Sequence, residues 1–157
     1  MKLNEYIADR LKEVLTEGKW VVWTNWKEQI TSLNWKQATQ KVEDYNTIAA
    51  LTFHVNYYIA GVSKVFDGGP LDMSDKFSFD APPITSEEQW QERVNTFCTS
   101  AEYIIQQVGN MTEDDLNSVF VKPEYGTFLR TADVMIEHAY YHLGQVLLIR
   151  KRLDKAQ

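Results

Sequence analysis

Apolar residues recur at helical spacing in four stretches of the chain, and polar segments separate these stretches. In the first thirty residues the apolar positions advance in steps of three, four or seven, which predicts one helix with Gly18 as a bend. A polar connector over 32–46 follows. Asn46 is suited to cap the second predicted helix, whose apolar positions continue to Phe66.

The second half of the chain contains two further helical patterns, and a long segment without periodicity precedes them. This segment runs over 67–84 and is rich in glycine and proline. Thr85 followed by Glu88 resembles a capping box and predicts the start of the third helix. The last helix is expected to begin near Thr131 and to end at about Leu153.

Four amphipathic helices with little strand signal predict an all-α fold, a four-helix bundle with antiparallel or mixed helix directions. The 157 residues suit a single domain over 1–157. Extended at about 3.3 Å per residue, the connector over 67–84 is long enough to cross a bundle. The second and third helices can therefore run parallel, although the connector length does not require it.

Charge and terminal sequence narrow the classes of partner. The formal net charge is −6, and the basic cluster that stands out is Arg150 to Arg152, so we expect no nucleic-acid partner. The amino terminus lacks an apolar signal region, and no apolar run approaches the roughly twenty residues of a membrane helix. We therefore expect a cytoplasmic protein without a membrane partner.

The chain has three histidines, and all of them fall in predicted helices. His138 and His142 are four residues apart, so their imidazoles share one helix face at the spacing that binds a common metal ion. His54 lies at a comparable depth in the second helix. Three neutral nitrogens around one ion would leave a fourth position open for water or substrate. A polar core network and an interface are the alternatives to a metal site.

Several familiar metal sites do not fit these residues. Glu137 precedes His138, so the His-Glu-x-x-His order of metalloproteases is absent and Glu137 is not a presumptive general base. Bundles with carboxylate-bridged di-iron sites need several inward glutamates, which the chain does not supply at the required spacing. Cys98 is the single cysteine, so cysteine-based zinc sites are excluded by number.

Four residues near the histidines are candidates for catalytic or substrate-binding roles. Gln145 follows His142 by three residues and can hydrogen-bond a ligand or a metal-bound water, or simply be a core amide. Tyr57 and Tyr58 follow His54, and Tyr141 follows His138, at helical spacing. Each hydroxyl could meet a metal-bound substrate, whereas packing is the commoner role of such tyrosines.

The second-helix stretch from Asn46 to His54, a long excursion, and the run His138-x-x-x-His142-x-Gly144-Gln145 before a basic end together form a recognisable pattern. Over essentially the whole chain, this pattern resembles the DinB/YfiT superfamily of small bacterial metal-binding four-helix proteins. The resemblance implies an up-down-down-up bundle with a long crossover after the second helix.

The same resemblance implies a zinc or nickel ion held by His54, His138 and His142, and a homodimer. Some relatives are transferases that join low-molecular-weight thiols to electrophiles, which implies such a thiol as co-substrate. Our hypothesis is a metal-dependent thiol S-transferase or hydrolase that acts on a small molecule. Its alternative is a non-enzymatic, stress-associated metal- or ligand-binding protein, whose structural site would need a carboxylate as fourth ligand.

Overall fold

Helices make up the fold of the computed structural model, which describes residues 1–155. Within that range the sheet-like pairing is one isolated bridge between Val119 and Thr127, so the predicted all-α class is confirmed. Residues 156 and 157 of the predicted single domain lie outside the described part, and the single domain stays a prediction. The helices are α1 (Leu3–Lys12), α2 (Trp26–Thr31), α3 (Trp35–Thr39), α4 (Ile48–Phe66), α5 (Glu87–Asn110), α6 (Glu113–Asn117) and α7 (Phe128–Lys155).

The prediction of one helix across the first thirty residues is wrong. A π-helical turn, Glu13–Glu17, follows α1 and ends at Gly18, whose backbone N–H donates to the Glu13 carbonyl at 3.0 Å. An irregular loop then leads to Asn25, whose side chain accepts from the Glu28 backbone N–H and begins α2. Both helices bury their apolar residues in the same core. The apolar stripe therefore continues across an interruption of the helix.

The loop after Gly18 carries two exposed indoles. Trp20 is 86% and Trp23 is 79% exposed. Trp23 also has a positive φ of 59°, a conformation that bulky residues seldom adopt. Val22 in the same loop keeps the helical spacing between Leu15 and Trp26, which is why the pattern predicted one continuous helix.

Two further boundaries in the first half differ from the prediction. The connector over 32–46 contains α3, which Asn34 caps through a capping box with Gln37. The residue that caps α4 is Thr47 rather than Asn46, because its side chain accepts from the Ala50 backbone N–H at 3.1 Å. The cap of a helix depends on which side chain reaches a free N–H, and neighbouring candidates are not separated by sequence alone.

The starts of α5 and α7 are also shifted. Ser86, rather than Thr85, caps α5 by accepting from the Gln89 N–H. Thr85 instead donates from its backbone N–H to the Gln89 side chain at 2.7 Å. The last helix begins at Phe128, ahead of the expected Thr131, and continues through the described residues to Lys155.

Contacts along α4 and α5 show that these two helices run in the same direction. Near their amino-terminal ends Arg93 donates to the Ala49 carbonyl, and near their carboxyl-terminal ends Gln107 donates to the Ser63 carbonyl. Helix α7 runs opposite to α4, because Phe128 at its start packs on Phe66 at the end of α4. This antiparallel pairing brings the middles of α4 and α7 together.

The crossover between α4 and α5 returns along the surface of α4. It begins at Gly68, which has a φ of 83°, and Met73 then packs so closely on Gly61 that an added Cβ would collide with the Met73 sulfur. The segment next passes the middle of α4 and reaches the start of α5, where Arg93 donates to the Pro82 carbonyl at 2.7 Å. In residues 1–155, none of the helices combines the length and apolarity that a membrane crossing requires.

Candidate metal centre

The three histidines converge where α4 faces α7. His54 lies in the middle of α4, and His138 and His142 lie one turn apart on α7. One nitrogen from each ring lies within 4.8 Å of the nitrogens offered by the other two. The arrangement is a three-histidine cluster that could hold a metal ion.

Hydrogen bonds orient two of the three rings. The Nδ1 atom of His54 is 3.3 Å from the carbonyl oxygen of Ser78, and the Nδ1 atom of His142 is 2.6 Å from Oε1 of Gln145. Because both partners are acceptors, each Nδ1 carries the proton and donates. The Nε2 atom of each ring is then left with its lone pair for the centre of the cluster, the arrangement found around metal-bound histidines.

The spacing within the cluster fits a small divalent ion. The Nε2 atoms of His54 and His138 are 3.1 Å apart. Two imidazole nitrogens bound to one tetrahedral ion at about 2.0–2.1 Å would be separated by about 3.3 Å. With its Nδ1 proton directed to Ser78, His54 accepts at Nε2 from the His138 Nε2, and the buried Nδ1 of His138 has no hydrogen-bond partner among the described residues.

The rings are poised to be neutral. Burial, together with the neighbouring His142 and His54, lowers the pKa of His138 to about 4. Burial also lowers the pKa of His54 and of His142, and the hydrogen bond to Gln145 opposes part of the shift at His142. Neutral imidazole is the form that binds a metal ion, so the site can accept one at neutral pH without first losing protons.

The structure separates the four candidate neighbours into different positions. Gln145 contacts His142 directly, as described above. The Tyr57 hydroxyl donates to the Ser74 carbonyl at 3.0 Å and accepts from the Ser74 N–H at 2.9 Å, so it holds the crossover rather than facing the cluster. The Tyr58 hydroxyl donates to Asp75, while its ring edge packs on His54 and His138. Tyr141 is 66% exposed and lies against His142.

The crossover contributes three residues that sequence reasoning missed. Ser78 supplies the carbonyl that orients His54, Phe79 stacks on the His54 ring with centroids 4.0 Å apart, and Asp75 accepts from Tyr58. All three belong to the segment without periodicity. A backbone carbonyl leaves no trace in residue type, and the signal available was only that a phenylalanine-containing segment followed the second helix.

Comparison of this chain with models of known protein families, with curated proteins and with solved structures gives no match. The resemblance to the DinB/YfiT superfamily therefore stays a prediction that depends on the residue pattern.

Proposed function

We propose that this protein binds a divalent metal ion, zinc or nickel, through His54, His138 and His142 and is a metal-dependent enzyme. The observation that carries the proposal is the convergence of three neutral imidazoles from two helices. In residues 1–155, these three side chains form the one group of potential ligands that lie close enough together to hold an ion. Catalytic zinc sites characteristically use three protein ligands and leave one position for water or substrate.

The residues of the chain divide the work of such a site. The Ser78 carbonyl and the Gln145 amide oxygen hold two ligand rings in the orientation that directs Nε2 inward. Tyr58 and Phe79 cover His54 and limit the access of water to it. A bound divalent ion, its charge undiminished by three neutral ligands, would lower the pKa of a bound thiol or water and yield a nucleophile at neutral pH.

The reaction we propose is activation of a low-molecular-weight thiol or of water, hence thiol S-transfer or hydrolysis on a small molecule. Cys98, the single cysteine, is partly buried, and burial raises the pKa of its thiol. A nucleophile supplied by a bound co-substrate is consistent with that inert side chain.

Metal content tests the ligand assignment. We expect the purified protein to carry about one equivalent of metal by elemental analysis, and His54→Ala, His138→Ala and His142→Ala to carry much less. Tyr125→Ala, at an exposed position outside the cluster, is the matched control. Circular dichroism verifies that each variant is folded. Equal metal content in the control and in all three histidine variants would refute the assignment.

Turnover tests the reaction separately. Metal-loaded protein is mixed with thiols and electrophiles, and with ester and amide substrates, and rates are compared with those of metal-free protein and of His142→Ala. We expect a metal-dependent rate for at least one pair. If all rates equal the rate without protein while metal binding is normal, the enzymatic part of the proposal fails and the binding part stands.

We also propose that the four long helices α1, α4, α5 and α7 form an up-down-down-up bundle of the DinB/YfiT type, and that the protein is a cytoplasmic homodimer. The parallel α4 and α5 and the antiparallel α7 support the bundle topology. Light scattering of the purified protein tests the dimer.

The alternative is a non-enzymatic binding protein with a closed metal site, and the position of Asp75 supports this alternative. Asp75 lies near enough to His54 to raise its pKa, against the larger lowering by burial and by His142. If its carboxylate released Tyr58 and bound the ion, the fourth position would be filled. X-ray absorption spectroscopy of the metal-loaded protein distinguishes the two: a carboxylate ligand that disappears in Asp75→Asn supports the closed site, and an exchangeable water supports the open one.

A further inference from the structure

Little of the three histidine residues is open to solvent. His54 and His142 are each 7% exposed, and His138 is partly buried with its Nδ1 atom inaccessible. The exposed side chains that pack on these residues therefore decide which molecules fit beside the cluster.

Two exposed aromatic rings pack on histidines of the cluster. Phe79 stacks nearly parallel on His54, with an interplanar angle of 13°, and Tyr141 meets His142 edge-on at a centroid distance of 4.8 Å. Phe79 is 44% and Tyr141 is 66% exposed, so each presents uncovered ring surface next to a ligand. Exposed aromatic surface beside a polar centre is suited to bind a flat apolar group by stacking or edge contact.

Phe79 is held in place by its own segment. Ser78, its neighbour, is buried and hydrogen-bonds His54, and Tyr57 and Tyr58 bond Ser74 and Asp75 a few residues earlier. The ring is thus part of a fixed surface, and a ligand that stacks on it does not have to order the segment first.

A carboxylate lies next to the cluster. Asp75 accepts a hydrogen bond from Tyr58, and Tyr58 packs on both His54 and His138. The protein as a whole also carries a formal net charge of −6. That carboxylate and a bound divalent ion would act on an anionic group in opposite directions, so aromatic surface rather than charge is the basis for selection.

We propose that the substrate class of this site is small molecules with an aromatic or flat apolar group, selected by Phe79 and Tyr141. The molecule offers one oxygen or sulfur group to the metal and places its apolar part against these two rings. The inference rests on the proposed metal site and adds to it two residues that determine specificity without binding the ion.

Three hydroxamic acids test the proposal, because they share one metal-binding group and differ in what is attached to it. Benzohydroxamic acid carries a phenyl ring, acetohydroxamic acid a methyl group, and succinic monohydroxamic acid a carboxylate. Their dissociation constants are measured by calorimetry with metal-loaded protein, after the metal content has been determined. The variants are Phe79→Ala, Tyr141→Ala and the double variant. Phe77→Ala is the control, since Phe77 is similarly exposed but packs under Lys76.

We expect the phenyl compound to bind about three- to tenfold more tightly than the methyl compound, the range of a single aromatic contact. The preference should weaken in each single variant, disappear in the double variant and persist in Phe77→Ala. The carboxylate compound has no ring and should bind less tightly than the phenyl compound.

Two results would overturn this inference while the metal site stands: the phenyl preference survives in the double variant, or the carboxylate compound binds most tightly. Thermal melting verifies the fold of the double variant, and Phe79→Leu provides a second test that retains apolar bulk but removes the flat ring. Absence of metal that depends on the histidines would instead overturn the proposed function, and this inference with it.

Discussion

Replacing Gln145 tests how strongly a residue that does not bind the ion controls metal affinity. Its Oε1 atom accepts the Nδ1 proton of His142 at 2.6 Å, and His142 is 7% exposed. In Gln145→Leu the Nδ1–H group of His142 loses its acceptor, and little water can reach the buried His142 ring to replace it. An unpaired buried donor costs about 1–3 kcal/mol. Because about 1.4 kcal/mol corresponds to a tenfold change in affinity, the metal affinity should fall about 10- to 100-fold. This is the range known for hydrogen-bond partners of metal-bound histidines.

The assay is competition between the protein and a chromophoric chelator at neutral pH. Gln145→Glu keeps an acceptor and adds charge, so its affinity should equal or exceed that of the unchanged protein. Gln107→Leu is the matched control, because Gln107 is also partly buried and hydrogen-bonded, but to Ser63 and Asp67 at the end of α4. Equal metal affinities of Gln145→Leu and Gln107→Leu would refute the role assigned to the amide.

Three further predictions concern stability and the crossover. The pKa of His138 is lowered to about 4, so the unfolded metal-free chain binds more protons than the folded one between about pH 6.5 and 4; its melting temperature should fall as the pH falls through that range, and less so in His138→Gln. Trp26 is fully buried and donates to a backbone carbonyl, so Trp26→Phe should lower the free energy of unfolding in urea by about 2–4 kcal/mol, while Trp20→Phe changes it by about 0.5 kcal/mol or less. Tyr57→Phe removes both hydrogen bonds to Ser74 and should speed amide hydrogen exchange over 74–79; unchanged exchange would show that the crossover is held by other contacts.

Periodicity found the long helices because their buried faces are apolar at regular intervals, and the same spacing placed His54 on α4 and the His138–His142 pair on α7. It failed between Gly18 and Asn25, where Val22 continues the helical spacing from Leu15 to Trp26 although the segment is an irregular loop.

The crossover could not be predicted in the same way. Its position depends on single contacts, such as the two hydrogen bonds between Tyr57 and Ser74, and not on a repeated pattern. Consequently Gln145 could be selected from sequence by its spacing on α7, whereas Ser78 and Phe79 could not. Helical periodicity predicts which residues of a helix lie on its buried face. It does not predict the path of a segment that folds back over that helix.

In this protein the residues that would hold the ion and a residue that surrounds it belong to different parts of the fold. The ion would be held by side chains of α4 and α7, and other side chains of these two helices form part of the hydrophobic core. Phe79, in contrast, belongs to a surface segment that joins α4 to α5. Insertions or replacements in that segment would alter the surroundings of the metal while the packing of the helices is preserved. Such an arrangement suits laboratory evolution: a library confined to 76–82, with Ser78 retained, would sample new specificities at little risk to folding.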